Sequence, residues 1–141
     1  MNRVEKAREY FGQGYACSQA VALAFSDLTG IGEVELAKIM LPFGGGLGRQ
    51  HLTCGAVSGM AAVIGCVFAE TEPTNENKVA NYAIVRELCD AFKAEHGSLI
   101  CAELLKGKAV AHEPGNKHPC EAMVCGAAQI LEDYLTEKGI I

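Results

Sequence analysis

The sequence predicts an all-α fold, a compact bundle of about six or seven helices with a buried central helix near residues 54–69. Three observations predict it. Segments rich in Ala, Leu and spaced apolar residues are punctuated by Gly and Pro where helices start and stop. No segment alternates polar and apolar residues over a useful strand length. Half of the residues are hydrophobic while only 6% are aromatic and Trp is absent, so small side chains carry much of the apolar count and helices can pack closely. A chain of 141 residues is long enough for one domain with a sizeable core and short for two, so residues 1–141 read as a single domain.

The elements follow in order. Val4 to Phe11 spaces apolar residues among charges and is ended by Gly12 and Gly14. Cys17 to Leu28 (CSQAVALAFSDL) is stopped by Gly30, a candidate C′ glycine. Glu33 to Met40 is a shorter helix closed by Leu41-Pro42. Phe43 to Arg49 holds Gly44, Gly45, Gly46 and Gly48 and must be a loop, since each glycine inside a helix costs about 1 kcal/mol. It lacks the ending of a phosphate-binding loop and no strand precedes it, so its expected role is tight passage of the chain over Cys54.

Thr53 is placed to cap a helix from Cys54 to Ala69. The stretch from Gln50 to Ala69 has no Asp, Glu, Lys or Arg and is long enough to span a bilayer. His51, Thr53, Ser58 and the glycines argue instead for a helix buried in the core, and membrane insertion is not expected. Pro73-Thr74-Asn75 opens a long helix to about Glu95, ended by Gly97. Ser98 caps a short helix through Cys101 to Lys106, and Gly107 to His118 reads as an irregular loop. Pro119 suits the first turn of a last helix running to about Lys138, with Gly139 beyond it.

The chemistry lies in the cysteines. Seven occur, at 17, 54, 66, 89, 101, 120 and 125, with no CxxC pair. Cys17, Cys54, Cys101 and Cys120 fall at expected helix starts, where free amides and the helix dipole favour a thiolate and should lower the thiol pKa. Gly55 and Gly59 would thin the face beside Cys54, for helix packing, for approach to its sulfur, or for both. Cys66 and Cys89 sit mid-helix among apolar neighbours and read as packing. Cys125 is five residues past Cys120, a turn of roughly 140° that separates their faces, and it too reads as core. His118 stands two residues before Cys120 and His51 three before Cys54. Each could assist a thiol or ligate a metal, but a solvated surface histidine is the expected state of both.

The net charge of −5 and the lack of a basic stripe argue against nucleic acid as a partner. The N-terminus is charged from its third residue and shows no secretory signal, so a reducing cytoplasm is expected. There, cysteines serve redox or metal chemistry more often than structural disulfides.

Gly14-Tyr15-Ala16-Cys17-Ser18-Gln19-Ala20-Val21 and Cys54-Gly55-Ala56-Val57-Ser58-Gly59 resemble the first two motifs of the C_GCAxxG_C_C family, named for redox activity. Cys101 in CAELL and Cys120 in CEAMV stand as the third and fourth family cysteines, and the resemblance spans nearly the whole chain. The chain departs from the family label in reading Cys-Gly-Ala, with Thr53 in front, where the label writes Gly-Cys-Ala. The resemblance implies a redox site at Cys17, Cys54, Cys101 and Cys120 and nothing for the other three.

Three functions fit this reading. The first is thiol–disulfide exchange served by an unidentified reductant or electron-transfer partner, through a disulfide such as Cys17–Cys54 or Cys101–Cys120. The second is an iron–sulfur cluster or zinc held by the same four cysteines as cofactor ligands. The third is a non-catalytic helical interaction module, and a homo-oligomer is compatible with each. No Ser-His-Asp set, paired carboxylates or HExxH motif points to hydrolysis.

Overall fold

The computed structural model of the chain describes residues 2–106 and 118–141. The described residues are helical throughout their regular structure: α1 (Arg3–Gly12), α2 (Cys17–Leu23), α3 (Ser26–Thr29), α4 (Glu33–Met40), the single turn α5 (Gly44–Leu47), α6 (Gly55–Phe68), α7 (Asn75–His96), α8 (Cys101–Leu104) and α9 (Cys120–Glu137). A 3₁₀ turn over Leu41–Phe43 joins α4 to α5. Apart from His118, the irregular loop expected from Gly107 onward lies outside the described residues.

Local chemistry explains several helix ends. Asn2 accepts the Glu5 amide at 2.8 Å while the Glu5 carboxylate accepts the Asn2 amide, a reciprocal cap on α1. Thr74 accepts the Asn77 amide at 3.1 Å and starts α7, which ends at Gly97 with φ 93°. Gly30 closes α3 with φ 72°.

One expected helix is two. Cys17 to Leu28 breaks at Phe25, whose φ and ψ are −119° and 19°. The cause is tertiary. Arg3 reaches over from α1, donates to the Ala24 carbonyl at 3.0 Å and grips both Asp27 carboxylate oxygens at 2.7 and 2.8 Å. Its guanidinium also lies 5.0 Å from the centre of the Phe25 ring. The Arg3 hydrogen bond holds the Asp27 carboxyl below the usual carboxylate range. Arg3→Ala is expected to lower stability by about 1 kcal/mol in urea unfolding, the exposure of Asp27 limiting the share of the ion pair.

The centre of the fold is also a pair of helices. All seven residues of α2 are buried, and α6 packs along it through a face that includes Gly55, Ala56, Gly59, Met60 and Val63. A Cβ at Gly59 would stand 2.7 Å from the Ser18 carbonyl oxygen, so glycine permits the close approach. Ser18 donates its hydroxyl to the Met40 carbonyl at 2.7 Å, and the Gln19 amide donates to Ala37 at 2.8 Å, tying α2 to α4. Helices α1 and α9 close over α2, and α7 lies along α6 and α9.

Among the described residues nothing covers the Cys66 side of α6, so Cys66 is exposed and does not fill the packing role expected of it. Cys89 is half-buried against the core. Cys125 is likewise half-buried, less enclosed than a core cysteine. Among the described residues, no helix is long and apolar enough to cross a membrane.

Candidate functional site

Two short extended stretches build the site. Residues 51–54 run antiparallel to residues 99–102: Cys54 N donates to Leu99 O at 2.8 Å, Cys101 N to Leu52 O at 2.6 Å and Ala102 N to His51 O at 3.1 Å. Thr53 and Ile100 form the bridge between them. The pairing brings the starts of α6 and α8 together, and with them Cys54 and Cys101. It also displaces the expected caps. Cys54, not Thr53, is the N-cap residue of α6, with φ −52° and ψ 130°. Ile100 holds that position in α8, while Ser98 accepts the Ile100 amide at 3.0 Å and donates to Glu103.

Cys17 arrives from the start of α2. A Cβ on Gly55 would overlap the Cys17 sulfur and stand 2.8 Å from the Phe43 carbonyl oxygen. The glycine after Cys54 therefore does both things considered for it: it lets α6 approach α2 and leaves room for a second sulfur. Cys17, Cys54 and Cys101 are all buried, with 8%, 5% and 6% of their surface exposed.

The glycine-rich segment forms the roof. Gly45, Gly46 and Gly48 have φ of 62°, 70° and 60°, and Leu47, Arg49 and His51 follow the same left-handed path at 69°, 60° and 61°. Such a backbone costs about 1 kcal/mol or more at each residue carrying a Cβ. Hydrogen bonds hold the segment in place, from His51 N to Gly45 O at 3.1 Å and from Leu52 N to Gly46 O at 3.0 Å. The tight passage expected over Cys54 is found over Cys101 instead: Gly46 presses on the side of Cys101, next to Leu52 and His51.

The thiols do not behave as helix starts alone would have it. Burial pushes the Cys54 thiol up to about 11, and charge on Cys17 and Cys101 pushes the same way. The amides of Ala56 and Val57 pull it down but do not win. Burial, then Cys17, also raises Cys101. The expected lowering is therefore overturned at both: desolvation of a buried thiolate outweighs the first-turn amides. Cys17 is the common neighbour, being the larger sulfur influence on Cys54 and the one acting on Cys101.

Of the two histidines expected at the surface, His51 is there and His118 is not. His51 is exposed, yet its Nδ1 lies 3.5 Å from the Cys101 sulfur. Nothing in its spacing from Cys54 could have revealed a contact fifty residues away in sequence. His118 is half-buried, accepts the Cys120 amide on Nδ1 at 3.1 Å and meets the Phe11 ring edge-on at 5.6 Å. It thereby supplies the cap that Pro119 cannot. Cys120 itself stands half-buried in the first turn of α9, packed against the core.

Among the described residues, no three His, Cys, Asp or Glu side chains are disposed to hold a metal ion. The cluster as built does not fit the expected iron–sulfur or zinc cage. Around it, Leu41, Phe43, Leu47, Leu52 and Ile100 are exposed apolar side chains, all from the segments that frame the thiols. A separate open cleft of about 200 Å³ between the end of α6 and the start of α7 is lined by no thiol or imidazole.

Among curated proteins and among solved structures, nothing matches the chain at a significant level. A family model described as "Putative redox-active protein (C_GCAxxG_C_C)" matches residues 15–134, a span that takes in Cys17, Cys54, Cys101 and Cys120. The match covers most of the chain, and the chain belongs to the C_GCAxxG_C_C family.

Proposed function

We propose that residues 1–141 act as one thiol–disulfide redox domain in a reducing cytoplasm. Cys17, Cys54 and Cys101 form its working cluster, and Cys120 is the fourth redox cysteine of the pattern. The observation that supports this best is that three separate segments bring buried cysteines together: the pairing of 51–54 with 99–102 sets Cys54 near Cys101, and the Cys17 sulfur lies against Gly55, the residue after Cys54. Cysteines used as filler have no reason to converge. A disulfide needs only two of these sulfurs and removes their charge.

In the reaction, two protein thiols give two electrons and two protons to a substrate disulfide. One S–S bond breaks in the substrate, one forms in the protein, and two substrate thiols leave. A dithiol reductant reverses the change. The exposed Leu41, Phe43, Leu47, Leu52 and Ile100 suit a protein partner whose own apolar surface covers them during exchange.

The test is to treat reduced protein anaerobically with a peptide disulfide and map the products by mass spectrometry. The expected product is an intramolecular disulfide of Cys17 with Cys54 or Cys101, reversed by a dithiol. Cys17→Ser should abolish it and Cys66→Ser should leave it intact. The proposal fails if no disulfide forms among the four family cysteines, or if anaerobically prepared protein carries stoichiometric iron or zinc on them. It also fails if serine replacements alter stability alone, the result a non-catalytic interaction module would give.

A further inference from the structure

We propose that His51 is the proton acceptor that makes Cys101 the attacking thiol of the site. The inference rests on the thiol–disulfide reading and adds a residue that the family's cysteine pattern does not contain. Among the described residues, Cys101 is the cluster cysteine that an imidazole reaches, with Nδ1 3.5 Å from Sγ, within range of a hydrogen bond to sulfur. His51 is exposed while Cys101 is 6% exposed, so the imidazole links a buried thiol to water. A buried thiol ionises near neutrality only if its proton has somewhere to go, and here the acceptor is already in place.

The position is also over-determined. His51 holds a left-handed backbone, φ 61°, that a residue with a Cβ adopts at a cost. It is clasped on both sides, its amide on Gly45 O at 3.1 Å and its carbonyl on Ala102 N at 3.1 Å. The second of these bonds ties the histidine to the first turn of the helix that carries Cys101. A Cβ on Gly46 would stand 2.8 Å from both the His51 Cα and the Cys101 Cβ, so the glycine lets these two residues lie side by side.

Nδ1 of neutral His51 takes the Cys101 proton, giving a thiolate and an imidazolium. The thiolate attacks one sulfur of the substrate disulfide, forming a mixed disulfide and expelling the other sulfur as a thiolate, which takes the proton from His51. Cys17, the common neighbour, then loses its proton to His51 or solvent and attacks the Cys101 sulfur. The Cys17–Cys101 bond forms, the mixed disulfide breaks, and the second substrate thiol leaves. The other titratable groups facing Cys101 are Cys17 from α2 and Cys54 from α6, while Glu103 on its own helix is engaged by Ser98. Arg49, in the same loop as His51, lies against Gly45.

The test is the pH profile of Cys101 alkylation by iodoacetamide in the full reduced chain, read by peptide mapping, with and without His51→Asn. Asparagine tolerates the left-handed backbone, so the loop keeps its path while the imidazole is lost. In the unaltered protein, Cys101 should be alkylated at neutral pH, where a buried thiol with no acceptor stays protonated. In His51→Asn its reactivity at neutral pH should be about tenfold lower and should rise only in alkali. Unchanged alkylation of half-buried Cys89 in the same samples reports that the fold is kept. Superimposable Cys101 profiles overturn the role of His51. Alkylation needs no disulfide, so that outcome is separate from the failure of disulfide formation, which would overturn the thiol–disulfide reading itself.

Discussion

Gly46→Ala is expected to destabilise the protein by about 3 kcal/mol and to free Cys101 from its buried position. Two costs add at this residue. The first is conformational: φ is 70°, and a side chain there costs about 1 kcal/mol or more. The second is steric. The added Cβ would stand 2.6 Å from the Leu52 amide nitrogen and 2.8 Å from the His51 Cα and the Cys101 Cβ. Two of these atoms are backbone and the third is the root of a side chain, so none can swing away as a flexible chain end would. Relief requires the roof to lift from the 51–54 and 99–102 pairing, which would expose the Cys101 sulfur. Urea unfolding measures the first effect and alkylation of Cys101 the second. Gly48→Ala separates the two costs, because Gly48 shares the left-handed backbone, φ 60°, with open space around it. It should cost about 1 kcal/mol and leave Cys101 shielded. Equal losses at the two positions would show that the roof does not press on the site.

This contrast also shows where sequence reasoning reached and where it stopped. The ends of α7 and the stop at Gly30 were legible because Thr74, Gly97 and Gly30 act on their own neighbours in the chain. The need for a glycine passage between Pro42 and Cys54 was legible for the same reason. What was hidden depended on distant partners. The break at Phe25 is supported by Arg3, and the cap expected at Thr53 was lost to a bridge with Ile100. Cys66 has apolar neighbours in sequence, but among the described residues no element covers its side of α6. Cys17, Cys54, Cys101 and Cys120 were singled out by motif and the first three are brought together, yet the contact of His51 with Cys101 exists only through the long-range pairing that aligns their backbones. Most consequential was the direction of the thiol pKa. A helix start is visible in sequence and the burial of its sulfur is not, and burial is the larger effect.

That reversal carries the second large prediction. The Cys54 thiol stands at about 11 in the folded chain against an ordinary value of 9.0. The folded state holds this proton more tightly than the unfolded state does. The resulting stability is fully present below about pH 9 and is lost as pH rises from there through about 11, at most roughly 3 kcal/mol for two pH units. Cys101 shifts in the same direction and deepens the loss. Urea unfolding under reducing conditions, at neutral pH and at about pH 10.5, should show the decline. Cys54→Ala is the reference, since lysine and tyrosine titration is common to both chains and cancels in their difference. The unaltered protein should lose roughly 2 kcal/mol more than the variant over that range. Equal losses would mean that the buried Cys54 thiolate is not what destabilises the fold. If the difference appears, Cys54 stays a thiol at neutral pH however well its helix start is placed. A site whose deepest sulfur cannot ionise unaided needs attack to begin elsewhere in the cluster, at a sulfur whose proton has an acceptor in reach of water, and Cys101 beside His51 meets that condition.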